Sequence, residues 1–210
     1  VAPVTRIRPK DAVNGYTTAE TALETGRCLD CQCMECVKHC QYMQDSDGYP
    51  KSFVRRVFNN LSIVQGMRQA NRFINSCSLC GQCETICPND FSMASMCLNA
   101  RRKMVRENRM PPSAHWFALE EMKSAASDQA QVLLHAPGKT TSRMLFFPGC
   151  QLSGIRPEQT LALYDSLLRS ESETGLWLNC CGAPAHWSGR EQEFSEWAEQ
   201  LAVQWQDMGK

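Results

Sequence analysis

The sequence predicts a mainly α-helical chain that ends in a partial α/β unit with the element order β-α-β-α. Apolar residues recur with helical spacing through much of the first 110 residues. After residue 141, short apolar runs alternate with helical patterns, which is typical of parallel strands joined by crossover helices. The chain also has 13 cysteines, most of them clustered at short gaps. This clustering predicts metal-binding loops within the helical part.

Composition excludes several classes of protein. The chain of 210 residues has 22 basic and 22 acidic residues, so no general attraction to nucleic acid or to an anionic membrane is expected. No apolar stretch approaches the roughly 20 residues that cross a bilayer. The odd number of crowded cysteines argues against a secreted disulfide scaffold and favours metal binding in a reducing cytoplasm. Because an initial Met and a secretory signal are both missing, we expect a chain that is processed or cut from a longer protein.

An extended arm and a short helix are predicted for residues 1–27. Pro9 and Gly15 interrupt regular structure in the arm. Thr17 and Glu20 have the spacing of a capping box, which predicts a helix over about 18–26.

Two longer helices are predicted between residues 50 and 110. The first has an apolar face that we expect to be buried. Its residues are Phe53, Val54, Val57, Phe58, Leu61 and Val64. Ser92 begins the second helix, over about 92–108, with Cys97 in the core. The opposite face of this helix is basic and is predicted to be solvated. It carries Arg101, Arg102, Lys103, Arg106 and Arg109.

The α/β unit is predicted to follow a helix over about 113–126 and a polar linker that reaches residue 141. Its elements are a strand at 144–147, a helix at 157–169, a strand at 176–178 and a helix at 189–208. Two strands make a poor sheet, so we expect the sheet to continue in missing sequence or in a partner. Cys150 and the pair Cys180 and Cys181 follow the two strands, at the sheet edge where ligands bind in such units.

The second cysteine motif carries the strongest chemical signal. Residues 77–88 read C-x2-C-x2-C-x3-C-P, with the thiols of Cys77, Cys80, Cys83 and Cys87. Three thiolates at two-residue gaps curl the backbone around one iron–sulfur cluster, and the fourth reaches a neighbouring cluster. Gly81 allows a positive φ in the loop, and Pro88 stops the local helix. A structural zinc site is the alternative, although zinc favours two separated C-x2-C pairs.

The first cysteine motif offers five thiols for four positions, at Cys28, Cys31, Cys33, Cys36 and Cys40. One interpretation uses Cys28, Cys31, Cys36 and Cys40 and leaves Cys33 as a spare thiol. The other uses Cys33 with Cys36 and Cys40, and takes its first ligand from Cys28 or Cys31. The first spacing, C-x2-C-x4-C-x3-C, resembles the N-terminal cluster segments of dihydropyrimidine dehydrogenase and of the glutamate synthase small subunit.

Paired motifs of this kind usually exchange their last ligands, which predicts two [4Fe-4S] clusters. The ligands of cluster 1 would be Cys28, Cys31, Cys36 and Cys87. Those of cluster 2 would be Cys40, Cys77, Cys80 and Cys83. Since helices connect the motifs, residues 28–110 resemble the α-helical ferredoxin domain of fumarate reductase iron–sulfur subunits and of the small heterodisulfide reductase subunit. Methionines near the motifs are predicted to pack and exclude water, at positions Met34, Met43, Met93 and Met96.

Residues 142–210 resemble the first half of a CCG cysteine-rich domain. The resemblance rests on Phe147-Pro148-Gly149-Cys150 and on the segment from Asn179 to Ala185, which contains Cys-Cys-Gly. The family's final C-x2-C is absent. The resemblance implies a possible third site, for an iron–sulfur cluster or zinc, at Cys150, Cys180 and Cys181.

In this order, the two resemblances imply a heterodisulfide-reductase-type electron-transfer subunit. Such a chain would carry electrons between a flavoprotein and a CCG-domain site, and it contains no GxGxxG or P-loop of its own. We expect no complete catalytic site in it. A zinc-binding structural or interaction module remains an alternative. Another is a disulfide or heterodisulfide reductase whose CCG site is completed by missing sequence or a partner.

Overall fold

A computed structural model describes residues 5–27, 31–63 and 69–208. Helices predominate in these ranges and one small sheet is present, which confirms the predicted mainly α chain with a partial α/β part. The chain divides between Pro111 and Pro112 into two compact units. A proline lacks the backbone N–H that a helix interior needs, so this pair separates helical segments. Cys28 and Val64, which carry two of the predictions above, lie outside the described residues.

The first unit is built from helices, three of which are single turns beside the cysteine motifs. In chain order they are α1 (Thr18–Thr25), α2 (Glu35–Lys38), α3 (Gln41–Asp45), α4 (Pro50–Ser62), α5 (Gln69–Ser76), α6 (Gln82–Thr85) and α7 (Met93–Arg106). Within the described ranges, neither unit has a helix with the length and apolarity that a membrane span requires.

The core of the first unit lies where α4, α5 and α7 pack against one another. Phe53 of α4 is fully buried and its ring stacks on Phe73 of α5, with centroids 5.0 Å apart. Tyr42 stacks on the same Phe73 ring at 4.8 Å. The core also includes buried cysteines of both motifs, Cys36 and Cys83. Both cysteine motifs therefore contribute residues to this core.

The apolar face predicted for α4 is wider than the face that the structure buries. Phe53 and Val57 are buried, whereas the side chains of Val54 and Phe58 are 41% and 58% exposed. The third buried position of the face is Asn60, whose side-chain amide donates to Oδ1 of Asn71 at 3.0 Å. Residues 53, 57 and 60 lie on one side of a helix with 3.6 residues per turn, while 54 and 58 are rotated away from it.

The N-terminal arm is fastened to the second cysteine motif. The predicted capping box is present, with Thr17 and Glu20 bonded reciprocally at the start of α1. Glu24 accepts a hydrogen bond from the backbone N–H of Ile7 at 2.9 Å and one from Nε of Arg27 at 3.0 Å. Arg27 in turn donates to the carbonyl of Asn89 at 3.2 Å, just beyond Cys87. Two residues that are 62 positions apart in the sequence thus meet beside Cys87.

The second unit combines helices with three short strands. In chain order its elements are α8 (Trp116–Ala125), β1 (Val132–Leu134), β2 (Met144–Phe146), α9 (Gly149–Ile155), α10 (Pro157–Ser170), β3 (Thr174–Leu178), α11 (Ala183–Trp187) and α12 (Glu191–Asp207).

The sheet of the second unit has the strand order β1-β3-β2. Strands β2 and β3 are parallel, with Phe146 opposite Leu176, and α9 and α10 connect them. This arrangement is the predicted strand-helix-strand order, because parallel neighbours need a crossover connection. The third strand, β1, pairs antiparallel with β3 and comes from the segment predicted to be a polar linker. That part of the prediction was wrong: Val132, Leu133 and Leu134 are too short a run to be distinguished from a loop in sequence.

Candidate metal centres

The loop of the second motif needs left-handed backbone conformations. Gly81 has a φ of +78° and is the N-cap residue of α6, which carries Cys83. Leu79, a non-glycine residue, has a φ of +60° in the same loop. A Cβ at Gly81 would meet nothing within 4 Å, so the conformation rather than the space favours glycine there. The two turns redirect the chain between Cys77 and Cys83 over very few residues.

Backbone N–H groups point at two of the sulfurs in this region. The N–H of Met93 donates to Sγ of Cys83 at 3.3 Å, and the N–H of Asn89 donates to Sγ of Cys87 at 3.4 Å. Such bonds stabilise a thiolate and are one way in which a protein adjusts the potential of an iron–sulfur cluster. One N–H donor is thus placed at a cysteine of each predicted cluster.

The thiol of Cys36 lies among cysteines of both motifs. Burial, followed by the charges of Cys87, Cys31, Cys33 and Cys83, raises the pKa of Cys36 to about 12. An interaction with Cys87 joins positions that are far apart in the sequence. A mostly apolar cavity of about 50 Å³ lies here, and cysteines from both motifs line it. The cysteines are Cys31, Cys33, Cys36 and Cys87.

Cys40, the last cysteine of the first motif, interacts with the first three thiols of the second motif. Burial has the largest effect and raises the pKa of Cys40, and the charges of Cys77, Cys83 and Cys80 raise it further. The last cysteine of each motif, Cys40 or Cys87, therefore interacts with thiols of the opposite motif. The exact ligand sets stay a prediction, since Cys28 is outside the described residues.

The donors present fit an iron–sulfur group. Thiols of Cys31, Cys33, Cys36 and Cys87 surround one apolar cavity, and thiolate sulfur is the ligand that holds [4Fe-4S] clusters. Among the described residues, no three side chains of His, Cys, Asp or Glu converge closely enough to hold a single metal ion. Met43 and Met93 are buried in the adjoining core, and Met34 and Met96 pack against it.

The prediction that the basic face of α7 is solvated is wrong for Arg101. Its side chain is buried, with the residue only 1% exposed. Nε donates to the carbonyl of Ile74 at 3.0 Å, and Nη2 donates to the carbonyl of Cys77 at 2.6 Å. Position 101 follows Cys97 by four residues and so lies on the buried face of α7, a spacing that could have revealed it. Arg106, by contrast, is exposed as predicted.

Cys97 lies in the core, as predicted, and is in contact with the second motif. A hydrogen bond between Cys77 and Cys97 lowers the pKa of Cys77 and raises that of Cys97. The hydroxyl of Tyr42 lies 3.6 Å from Sγ of Cys97 and donates to the carbonyl of Phe73 at 2.7 Å. The surroundings of Cys77, which is half-buried, are therefore polar.

In the second unit, two of the three predicted thiols come together. Cys150 follows β2 and Cys180 follows β3, and their Sγ atoms are 3.5 Å apart. Burial has the largest effect on Cys180 and raises its pKa to about 12. Cys181 is exposed. The meeting of Cys150 and Cys180 follows from topology, because parallel strands bring their carboxyl ends to one edge.

Gly182 shapes the backbone after these thiols. Its φ is +78°, and a Cβ there would lie 2.8 Å from Cδ1 of Trp197. The indole N–H of Trp197 donates to the carbonyl of Cys180 at 2.9 Å, so the same ring holds the Cys-Cys-Gly turn.

We expect Gly182→Ala to destabilise the second unit by about 2–4 kcal/mol, because it adds left-handed strain and a contact with Trp197. Tryptophan fluorescence during thermal unfolding measures this, since all five tryptophans lie after residue 111. Gly154→Ala is the matched control, because a Cβ there meets nothing within 4 Å. Equal melting temperatures for the two variants would contradict the role given to Gly182.

Comparison with known proteins supports iron–sulfur chemistry in the first unit. Residues 27–92 match the family described as 4Fe-4S dicluster domain. No curated protein and no solved structure matched the chain. The matched range contains every cysteine of both motifs, from Cys28 to Cys87, and none of the second unit. The match supports an iron–sulfur, ferredoxin-like region that serves electron transfer.

Proposed function

We propose that the chain is an electron-transfer module of an oxidoreductase complex, with two [4Fe-4S] clusters in its first unit. The observation that carries this proposal is the interaction of thiols across the two motifs. Burial raises the pKa values of Cys36 and Cys40. The charge of Cys87 raises that of Cys36 further, and the charges of Cys77, Cys83 and Cys80 raise that of Cys40 further. Two zinc sites of separate C-x2-C pairs would not need this interleaving.

The ligand sets that we propose are those with exchanged last cysteines. Cluster 1 would be held by Cys28, Cys31, Cys36 and Cys87. Cluster 2 would be held by Cys40, Cys77, Cys80 and Cys83. Cys33 would be the spare thiol, although it lines the same cavity as Cys36 and Cys87.

When bound, such clusters supply one-electron storage and transfer. Side chains and backbone groups of this unit create suitable surroundings for that chemistry. Buried Met43 and Met93 limit the access of water, and the N–H groups of Asn89 and Met93 stabilise negative charge on Cys87 and Cys83.

The two redox partners that we propose are a flavoprotein subunit or domain and a CCG-domain site like that of heterodisulfide reductases. The support is the resemblance of residues 28–110 to α-helical ferredoxin domains and of residues 142–210 to half of a CCG domain. The position of Cys150 and Cys180 at the ends of parallel strands adds to it. A reducing, cytoplasmic compartment suits the free thiols.

Metal and sulfide analysis of anaerobically purified protein tests this function. We expect about 8 iron and about 8 acid-labile sulfide per chain, with negligible zinc. Zinc without sulfide would contradict electron transfer and favour the structural zinc module.

A third site in the second unit is a further candidate, favoured by the 3.5 Å separation of the Cys150 and Cys180 sulfurs. Cys181 would be its third thiol, and an iron–sulfur cluster or zinc its occupant. About 12 iron per chain would support it. It would also favour the alternative in which missing sequence or a partner completes a disulfide or heterodisulfide reductase.

A further inference from the structure

Arg101 places a positive charge inside the first unit, beside the second cysteine motif. The guanidinium remains protonated in proteins, even where it is buried. Its Nη2 donates to the carbonyl of Cys77 at 2.6 Å, and its Nε donates to the carbonyl of Ile74, three residues earlier. The charge is therefore held at a fixed position next to the chain that presents the Cys77 sulfur.

Burial of a guanidinium is costly, so its presence in this core needs a reason. Transfer of a charge from water to a protein interior is unfavourable unless hydrogen bonds and nearby opposite charge compensate it. The neighbours of Arg101 on the buried face of α7 are apolar or weakly polar, namely Cys97, Ala100 and Met104. An apolar residue would pack at such a position without this cost. A negative group close by would benefit from the cation.

The surroundings of Cys87, which we assign to the other cluster, contain an ion pair. One arginine in this region, Arg27, donates to the carbonyl of Asn89, two residues after Cys87. It is also bonded to the carboxylate of Glu24, with Nε 3.0 Å from Oε2. The positive charge of Arg27 and the negative charge of Glu24 therefore largely cancel in their effect on more distant groups.

Each proposed cluster has a cysteine whose sulfur accepts a backbone N–H, Cys87 in one and Cys83 in the other. Backbone N–H groups of Met43 and Leu79 also act on Cys40 and Cys77, so the charge of Arg101 adds to hydrogen bonds on that side.

We propose that Arg101 raises the reduction potential of the cluster on Cys40, Cys77, Cys80 and Cys83 above that of the other cluster. This inference rests on the proposed function. Reduction adds one negative charge to a cluster, and a fixed cation nearby stabilises the reduced form more than the oxidised form. Because water is largely excluded around Arg101, this attraction is screened less than at the surface. The first electron to enter the unit would then reside on the Cys77 side.

An anaerobic redox titration followed by electron paramagnetic resonance tests the proposal on the full chain. In Arg101→Gln we expect the higher of the two midpoint potentials to fall, and the lower one to stay unchanged. The equilibrium constant for reduction should decrease about ten-fold, which is 59 mV for a one-electron couple. Arg101→Lys keeps the charge and should restore much of the difference. Arg106→Gln removes the same charge from an exposed position of the same helix and should change neither potential.

Three results would overturn the inference while leaving the proposed function intact. They are an unchanged higher potential, an equal fall of both potentials, and a fall of the lower one alone, each with full iron and sulfide content. Zinc in place of iron in the wild-type chain would instead contradict the proposed function.

If Arg101→Gln does not retain its iron, two variants that each lack the ligands of one cluster show which cluster has the higher midpoint potential. Cys36→Ala/Cys87→Ala should keep the cluster near Arg101, and Cys80→Ala/Cys83→Ala should keep the other. The inference requires the first variant to have the higher midpoint potential. The reverse order would overturn it.

Discussion

The double variant Cys36→Ala/Cys87→Ala is expected to retain about four iron and four sulfide per chain, half of the wild-type content. The two cysteines belong to different motifs, but we assign them to the same cluster. Their removal should therefore abolish one cluster and spare the other. The structure motivates this pairing, because the charge of Cys87 contributes to the raised pKa of Cys36 and both residues line one cavity.

Cys36→Ala/Cys40→Ala is the matched control, since it also removes two thiols but takes them from a single motif. With exchanged ligands, each cluster loses one cysteine, and we expect the iron content to fall well below four per chain. If each motif held its own cluster, the results would be reversed. Cys36→Ala/Cys40→Ala would keep four iron, and Cys36→Ala/Cys87→Ala would lose both clusters.

Cys33→Ala completes the set and should retain all of the iron, because we assign Cys33 as the spare thiol. Colorimetric iron and sulfide assays on anaerobically purified protein measure all three variants. Far-UV circular dichroism confirms that each variant keeps its helices. A loss of about four iron in Cys33→Ala would make this residue a ligand in place of Cys28 or Cys31.

Local chemistry explains which elements the sequence could predict. The start of α1 is specified by Thr17 and Glu20, which bond to each other's backbone within four residues. The start of α7 is specified by Ser92, whose hydroxyl accepts the N–H of Ser95 at 3.2 Å. In the second unit, the position of Cys150 and Cys180 after parallel strands follows from the strand-helix-strand order alone. In each case the decisive contacts join residues close in sequence or follow from a topological rule.

Elements that depend on distant partners could not be predicted in this way. Strand β1 is only three residues long and is defined by its pairing with β3, more than 40 positions later. Arg101 looks like one of several surface arginines until the carbonyls of Ile74 and Cys77 are in place to accept its hydrogen bonds. Each of these features is determined by the packing of the unit that contains it.

Phe53→Ala is expected to destabilise the first unit by about 3–5 kcal/mol, the usual effect of removing a buried aromatic ring. Phe53 is fully buried and stacks on Phe73, so the substitution leaves a cavity among α4, α5 and α7. A loss of this size should lower the melting temperature by roughly 12 °C or more. The thermal loss of far-UV circular dichroism and of the visible absorption of bound clusters measures this, at one scan rate and without oxygen.

Phe58→Ala makes the same chemical change five residues later on the same helix, at a side chain that is 58% exposed. Surface substitutions usually change the stability by less than about 0.5 kcal/mol, so its melting temperature should stay within a few degrees of the wild type. The sequence pattern alone assigns Phe53 and Phe58 to the same buried face and predicts similar losses for both. A large loss in Phe58→Ala would therefore favour the sequence pattern over the structure. A large loss in Phe53→Ala alone would show that the buried face of α4 is the narrower one, which packs against α5 and α7.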